Sequence, residues 1–165
     1  MRPVRFSAAL LAFHHVPDEP LAVFLGHMGG PLWARRDDGG WSIPKGEYDP
    51  DSEDPATAAR REFAEEIGVP APAGAQIDLG VHVQPGGKRV RTFAVPAPLS
   101  LRFVMSNHFQ MEWPRRSGIL RSFPEIDQAR WFALRDARRK VVGGQVAILD
   151  ALELVLAEGG RPPAI

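Results

Sequence analysis

Cysteine is absent from all 165 residues, which excludes disulfides, thiolate metal centres and cysteine nucleophiles. Also missing is any apolar run of the roughly 18–20 residues that a membrane span needs. The opening MRPVRFSAALLAFHHV has two arginines and a short apolar stretch. That stretch is only Ala8 to Phe13 and runs into His14 and His15, so a core strand is the better reading than a signal peptide. Excess charge is missing too: 20 basic residues face 20 acidic ones, so no global field marks a nucleic acid or an anionic membrane as partner. The histidines at 14, 15, 27, 82 and 108 are scattered, and no H-x-x-E-H pairing occurs, which speaks against a zinc site. No G-x-S-x-G occurs either, removing the usual serine-hydrolase elbow. The expected location is the cytoplasm.

What is present is enough apolar residue, 44% of the chain, to bury one core in a single domain over 1–165. Residues 4–15 and 21–28 read as an early strand pair around the turn Pro17-Asp18-Glu19-Pro20. Leu32–Arg36 is expected as a strand or a loop edge, and Trp41-Ser42-Ile43-Pro44 as extended chain, since a residue before proline is pushed toward β. A helix follows, with Asp54 as N-cap, Pro55 at the first helical position and Gly68 as its terminating glycine. Residues 75–84 and 88–96 flank Pro85-Gly86-Gly87 as a hairpin. A further strand is expected at Leu99–Met105, irregular chain over 106–124, a strand at Ala129–Leu134, a short helix at Leu134–Val141, and a helix over Val146–Leu156 ended by Gly159-Gly160. The sum is a mixed α+β domain.

Chemistry concentrates in Arg61-Glu62-Phe63-Ala64-Glu65-Glu66-Ile67-Gly68-Val69. Glu62, Glu65 and Glu66 fall at i, i+3 and i+4 and share a helical face. Like charges at those spacings cost roughly 0.2–0.5 kcal/mol per pair. Arg61 can answer Glu65 one turn on, whereas Glu62 has only Ala58 one turn back. Such a cluster is either a solvated acidic face or a ligand set for a hard cation such as Mg²⁺, which prefers oxygen donors. Ala59, Phe63 and Ile67 lie on the neighbouring face and read as core.

The flanking residues decide between these readings. Gly46-x6-Glu53-x7-Arg61-Glu62-Phe63-x-Glu65-Glu66-x-Gly68-Val69 resembles the Nudix box, G-x5-E-x7-R-E-U-x-E-E-x-G-U, where U is a bulky apolar residue. All fixed residue types are present. The departure is one additional residue between Gly46 and Glu53, in a loop where insertion costs little, and it leaves the role of Glu53 open. The resemblance implies an α/β/α sandwich with a mixed sheet between helices. It implies Mg²⁺-dependent hydrolysis (Mn²⁺ can substitute) of a nucleoside diphosphate-linked small molecule, by a monomer or homodimer.

By the same resemblance the metal ligands are the carbonyl of Gly46 with Glu62, Glu65 and Glu66. Glu62 is the first candidate for general base, and a glutamate from outside the box completes the site. Glu125, ahead of the Arg130-Trp131 strand, is the choice for that outside ligand, and Glu112 is its rival. Arg61 reads first as a structural lock on Glu53 or Glu65, and alternatively as a tuner of carboxylate acidity. Trp41-x-x-Pro44-Lys45-Gly46 is similar to the variant of Nudix enzymes acting on dinucleoside polyphosphates, nucleoside triphosphates and inositol pyrophosphates.

In that setting Lys45 is a candidate phosphate contact, against the alternative of an ordinary turn lysine. Trp33 and Arg35 are candidates for base stacking and phosphate binding, against plain surface roles, and Trp41 reads as core. The basic 106–124 stretch, with Arg115, Arg116 and Arg121, reads either as a substrate flap or as a surface insertion. Two other classes stay open: a non-catalytic nucleotide-binding sensor, which a complete box disfavours, and an ADP-ribose-type pyrophosphatase. An isoprenoid diphosphate isomerase characteristically adds a cysteine, which this chain lacks.

Overall fold

The computed structural model describes residues 2–159, so Gly160, expected to help end the last helix, lies outside the described residues. Its centre is β1 (Phe6–His14), buried along nearly its whole length. A strand covered on both faces reads as a continuous apolar run rather than an alternating one. Ala9, Leu11 and Phe13 point into one core, and Ala8, Leu10 and Ala12 into another on the opposite face. β1 pairs antiparallel with β2 (Ala22–Met28) and parallel with β6 (Arg89–Pro96). β5 (Ile77–Val83) lies outside β6, and the short β3 (Trp41–Ser42) pairs with β2. Two strands branch from this row: β4 (Lys45–Glu47) pairs with the start of β1, and β9 (Ile126–Ala133) with β2.

One face of this mixed sheet is covered by α1 (Pro55–Ile67), whose Ala58, Ala59, Phe63 and Ile67 are fully buried against β1 and β6 residues. The other face is covered by α2 (Leu134–Lys140) and α3 (Val146–Ala157), through Ala137, Ile148, Leu149, Leu152 and Val155. This is the α/β/α arrangement expected from the sequence, and Trp41 is in its core at 2% exposure. The ends of α1 follow the capping signals. Asp54 accepts from the Thr57 amide at 3.1 Å. Gly68 takes a left-handed φ of 84° and donates its amide to the Ala64 carbonyl, a conformation open to glycine at little cost.

Of the two alternatives for Leu32–Arg36, the loop holds: the segment lies in turns, not a strand. Two expectations change. Leu99–Met105 does not join a sheet. Instead the amides of Val104 and Met105 donate to the Ile67 carbonyl and the Asn107 amide to the Glu65 carbonyl, satisfying the acceptors that a helix C-terminus leaves free. Residues 106–124 are not irregular: β7 (His108–Glu112) and β8 (Leu120–Pro124) form a separate antiparallel hairpin, and burial alternates along β7 with the period of 2 that a strand imposes.

A single 3-10 turn at Gly143–Gln145 places the most consequential polar side chain of the core. Gln145 is fully buried. Its Oε1 accepts from the Ile43 amide at 2.8 Å and its Nε2 donates to Ser42 Oγ at 2.9 Å, fixing the chain just before Pro44-Lys45-Gly46. Gln145→Leu keeps the bulk but orphans a buried amide, so chemical denaturation should show a loss of about 1–3 kcal/mol in unfolding free energy.

Candidate metal centre

The site is made where α1 crosses β4. Gly46 sits opposite Ala8 of β1, and a Cβ on it would lie 1.9 Å from Glu62 Oε2, so only glycine allows the carboxylate against this backbone. One turn on, Glu66 Oε2 accepts from the Lys45 amide at 3.2 Å. Glu62 and Glu66 are buried at 8% exposure each, while Glu65 stays open to solvent. A strongly polar cavity of about 450 Å³ collects Glu62, Glu65 and Glu66 with Gly46, Lys45 and Glu125. The same cavity holds Arg5, Glu47, Lys88 and Asn107.

Arg61 ties the acidic face together. Its Nη1 donates to Glu62 at 2.8 Å and to Glu65 at 3.2 Å, and its Nε and Nη2 hold Glu53 at 3.0 and 2.8 Å. The one-residue longer loop is absorbed by a turn on Asp49, whose carbonyl accepts from the Ser52 and Glu53 amides, and Glu53 still reaches Arg61. With Glu62 and Glu65 drawn to the guanidinium, no three His, Asp or Glu side chains among the described residues converge closely enough to hold an ion.

The donor set nonetheless fits a hard divalent cation: carboxylates, the Asn107 amide oxygen and a backbone carbonyl, with no sulfur or imidazole in the cavity. Glu66 carries the stronger sign of fit. Burial pushes its carboxyl up to about 8, with Glu62 and Glu125 adding to the rise and Lys45 opposing it. A buried carboxylate so destabilised in its charged form is what a nearby cation would relieve. Burial likewise raises Glu62, and burial followed by repulsion from Lys88 lowers the Lys45 ammonium.

Of the other residues singled out in the sequence, Glu112 lies on β7, where its Oε1 accepts from the Gly118 amide at 2.9 Å, and it does not line the cavity. Arg115 and Arg116 are at the hairpin tip, exposed. Trp33 and Arg35 are also outside the cavity, and Arg35 lines a different one. The cations that do face the carboxylates are Lys45 and two the sequence did not disclose, Arg5 and Lys88. Arg5 Nε donates to Glu47 at 2.8 Å and Lys88 Nζ lies 3.5 Å from it. Only the pairing of β1 with both β4 and β6, which sets Ser7 beside Glu47 and Phe6 beside Arg89, assembles this group.

The NUDIX domain model matches residues 17–152, and the chain belongs to this family of pyrophosphohydrolases. No curated protein matches it in sequence. Among solved structures it is similar to a mutT/nudix family protein from Listeria innocua, with 18% identity, 96% and 98% of the two chains covered and a TM-score of 0.62. It is similar to a C. elegans Ap4A hydrolase at 18% identity, 92% and 98% coverage and TM-score 0.62. The NUDIX domain of Shewanella oneidensis NrtR, complexed with ADP ribose, aligns at 15% identity, 94% and 90% coverage and TM-score 0.59. At these identities the likeness is one of fold. No helix among the described residues is long and apolar enough to cross a membrane.

The Glu66 shift has a signed consequence. Its folded value, about 8, lies above the roughly 4.3 of an unfolded glutamate. Between those values the folded state holds a proton the unfolded state has released, so this group's contribution to stability falls as pH rises through the window. In EDTA, the melting temperature of the wild type should therefore decline from about pH 5 to about pH 8 more steeply than that of Glu66→Gln. Adding Mg²⁺ should flatten the wild-type slope.

Proposed function

We propose that the protein uses Mg²⁺ to hydrolyse a phosphoanhydride bond of a nucleoside triphosphate or dinucleoside polyphosphate. The observation that supports this is the composition of one cavity: Glu62, Glu65, Glu66 and Glu125 together with Lys45, Arg5 and Lys88. In this reading Gly46, through its carbonyl, and Glu62, Glu65, Glu66 and Glu125 hold the metal, for which Mn²⁺ can substitute. The bound metal neutralises charge on the phosphate oxygens. Glu62, beside the metal and oriented by Arg61, accepts the proton of the attacking water. Lys45, Arg5 and Lys88 take phosphates beyond the scissile bond, each charge-assisted contact being worth roughly 1.5–3 kcal/mol. Arg61 orients Glu62 and Glu65 rather than touching phosphate.

ADP-ribose is the second reading, suggested by the fold likeness to the ADP ribose-bound NrtR domain. The likeness to an Ap4A hydrolase is of the same kind, so the choice rests on the count of cations in the cavity. A bridge of two phosphates leaves most of them unused.

Glu65→Gln and Glu66→Gln should each lower kcat by about a hundredfold or more, the scale for removing one electrostatic contact to a transition state, with circular dichroism unchanged. Glu125→Gln should raise the Mg²⁺ concentration needed for half-maximal activity, and Glu112→Gln should leave it alone. The reverse ranking would move the outside ligand into the β7–β8 hairpin.

Side-by-side kcat/KM at saturating Mg²⁺ tests the substrate. Diadenosine tetraphosphate and ATP should exceed ADP-ribose, and Lys45→Ala should narrow the gap. Preference for ADP-ribose would overturn the polyphosphate reading while leaving the hydrolase assignment intact.

A further inference from the structure

A second cavity, of about 500 Å³, opens on the other face of the sheet. Val23 and Leu25 of β2 point into the core beneath α2 and α3, and His27, two residues further along, shares their side. The cavity has no lining residue in common with the acidic one. Three arginines line it, Arg35 and Arg36 from the 29–40 connection and Arg130 from β9.

The two carboxylates there contact side chains other than these arginines. Asp37 accepts from Lys140 Nζ and from Trp41 Nε1 at 2.9 Å. Asp127 Oδ1 lies 2.8 Å from Nδ1 of the buried His27, whose Nε2 donates to the Arg36 carbonyl at 2.6 Å. Arg35, Arg36 and Arg130 have no carboxylate partner among the described residues. Two of them are held in place by stacking: Arg36 over Trp33 at 5.3 Å and Arg130 over Trp41 at 5.9 Å. Stacked guanidiniums keep their donors directed while losing little further freedom on binding.

Three guanidiniums without a carboxylate partner thus line one concavity, and their planar forks match phosphate oxygens. We propose that this arginine-lined cavity is a phosphate-binding site, separate from the acidic cavity and independent of divalent metal. Its volume admits a ligand of nucleotide size, so the phosphate can belong to inorganic pyrophosphate or to a nucleotide. Because the site needs no metal and the acidic cavity does, chelation separates the two.

The experiment is a titration of the full chain in EDTA with pyrophosphate and, in parallel, ADP, followed by calorimetry and tryptophan fluorescence. Saturable binding is expected. It should weaken about tenfold or more in Arg35→Gln/Arg130→Gln, as befits the loss of charged hydrogen bonds. Glu65→Gln/Glu66→Gln should leave it unchanged. Arg35→Gln alone, at an exposed turn position without a partner, should show a smaller loss in the same direction and guards against misfolding of the double variant. Equal affinity for both ligands would support recognition of phosphate alone, and tighter ADP binding would support recognition of the whole nucleotide. No saturable binding in EDTA, binding retained by both arginine variants, or binding strengthened by the glutamate variants would overturn the proposal. None of these outcomes depends on hydrolysis, so failure here is distinct from failure of the polyphosphate reading.

Discussion

The contact on which the rest depends is the approach of Glu62 to Gly46. A helix and a strand meet there so closely that a single methyl group would collide with the carboxylate at 1.9 Å. The bare backbone at Gly46 leaves room for the Glu62 carboxylate, while the apolar face of α1 seats the helix: Ala59, Phe63 and Ile67 go under, Glu65 stays out, and Glu62 and Glu66 are caught between, Glu66 accepting from the Lys45 amide. The buried Gln145 supports the same geometry from the opposite side of the sheet, by holding Ile43 just upstream.

Packing carboxylates this tightly is unfavourable, and Arg61 offsets part of the cost. It spreads one guanidinium over Glu53, Glu62 and Glu65, which is why its own pKa is raised above its usual value and that of Glu53 is lowered. Arg61 does not reach Glu66, beside which Lys45 is itself disfavoured by burial. The residual cost falls on the one carboxylate that is buried away from Arg61, and it marks the place where an added divalent ion would gain most.

Local signals were legible and distant ones were not. The caps of α1, its apolar face and the spacing of its glutamates are written within a few residues of one another. Glu125, singled out through the family resemblance as the outside ligand, does line the acidic cavity, whereas Glu112 does not. Leu99–Met105 is as apolar as a strand, but its backbone partners are the free carbonyls at the end of α1, a tertiary match that propensity does not encode. The β7–β8 hairpin was hidden by Pro114 and Gly118, which lie in its turn rather than in a featureless loop. Arg5 and Lys88 were invisible because strand pairing alone brings the residues before β1, in β4 and before β6 to one corner. Trp33 and Arg35 drew attention as an aromatic beside a cation, but neither lines the acidic cavity, and the guanidinium stacked on Trp33 is that of Arg36.

That separation explains how a chain of zero net charge handles anions at all. Its charges are sorted into two cavities with no lining residue in common, one rich in carboxylates and one with three arginines. The carboxylates therefore repel a polyphosphate at close range unless a cation intervenes, while the arginines across the sheet attract one unaided. The two regions meet at a short junction. There the Gly29 amide donates to the Glu125 carbonyl at 2.9 Å, and His27, two residues earlier, holds Asp127, two residues later. A Cβ on Gly29 would lie 1.9 Å from the Pro124 carbonyl oxygen, so this junction admits no side chain at position 29. The start of β9 is consequently pinned from both faces, and Glu125 enters the acidic cavity from a backbone whose position is set by the arginine-lined side.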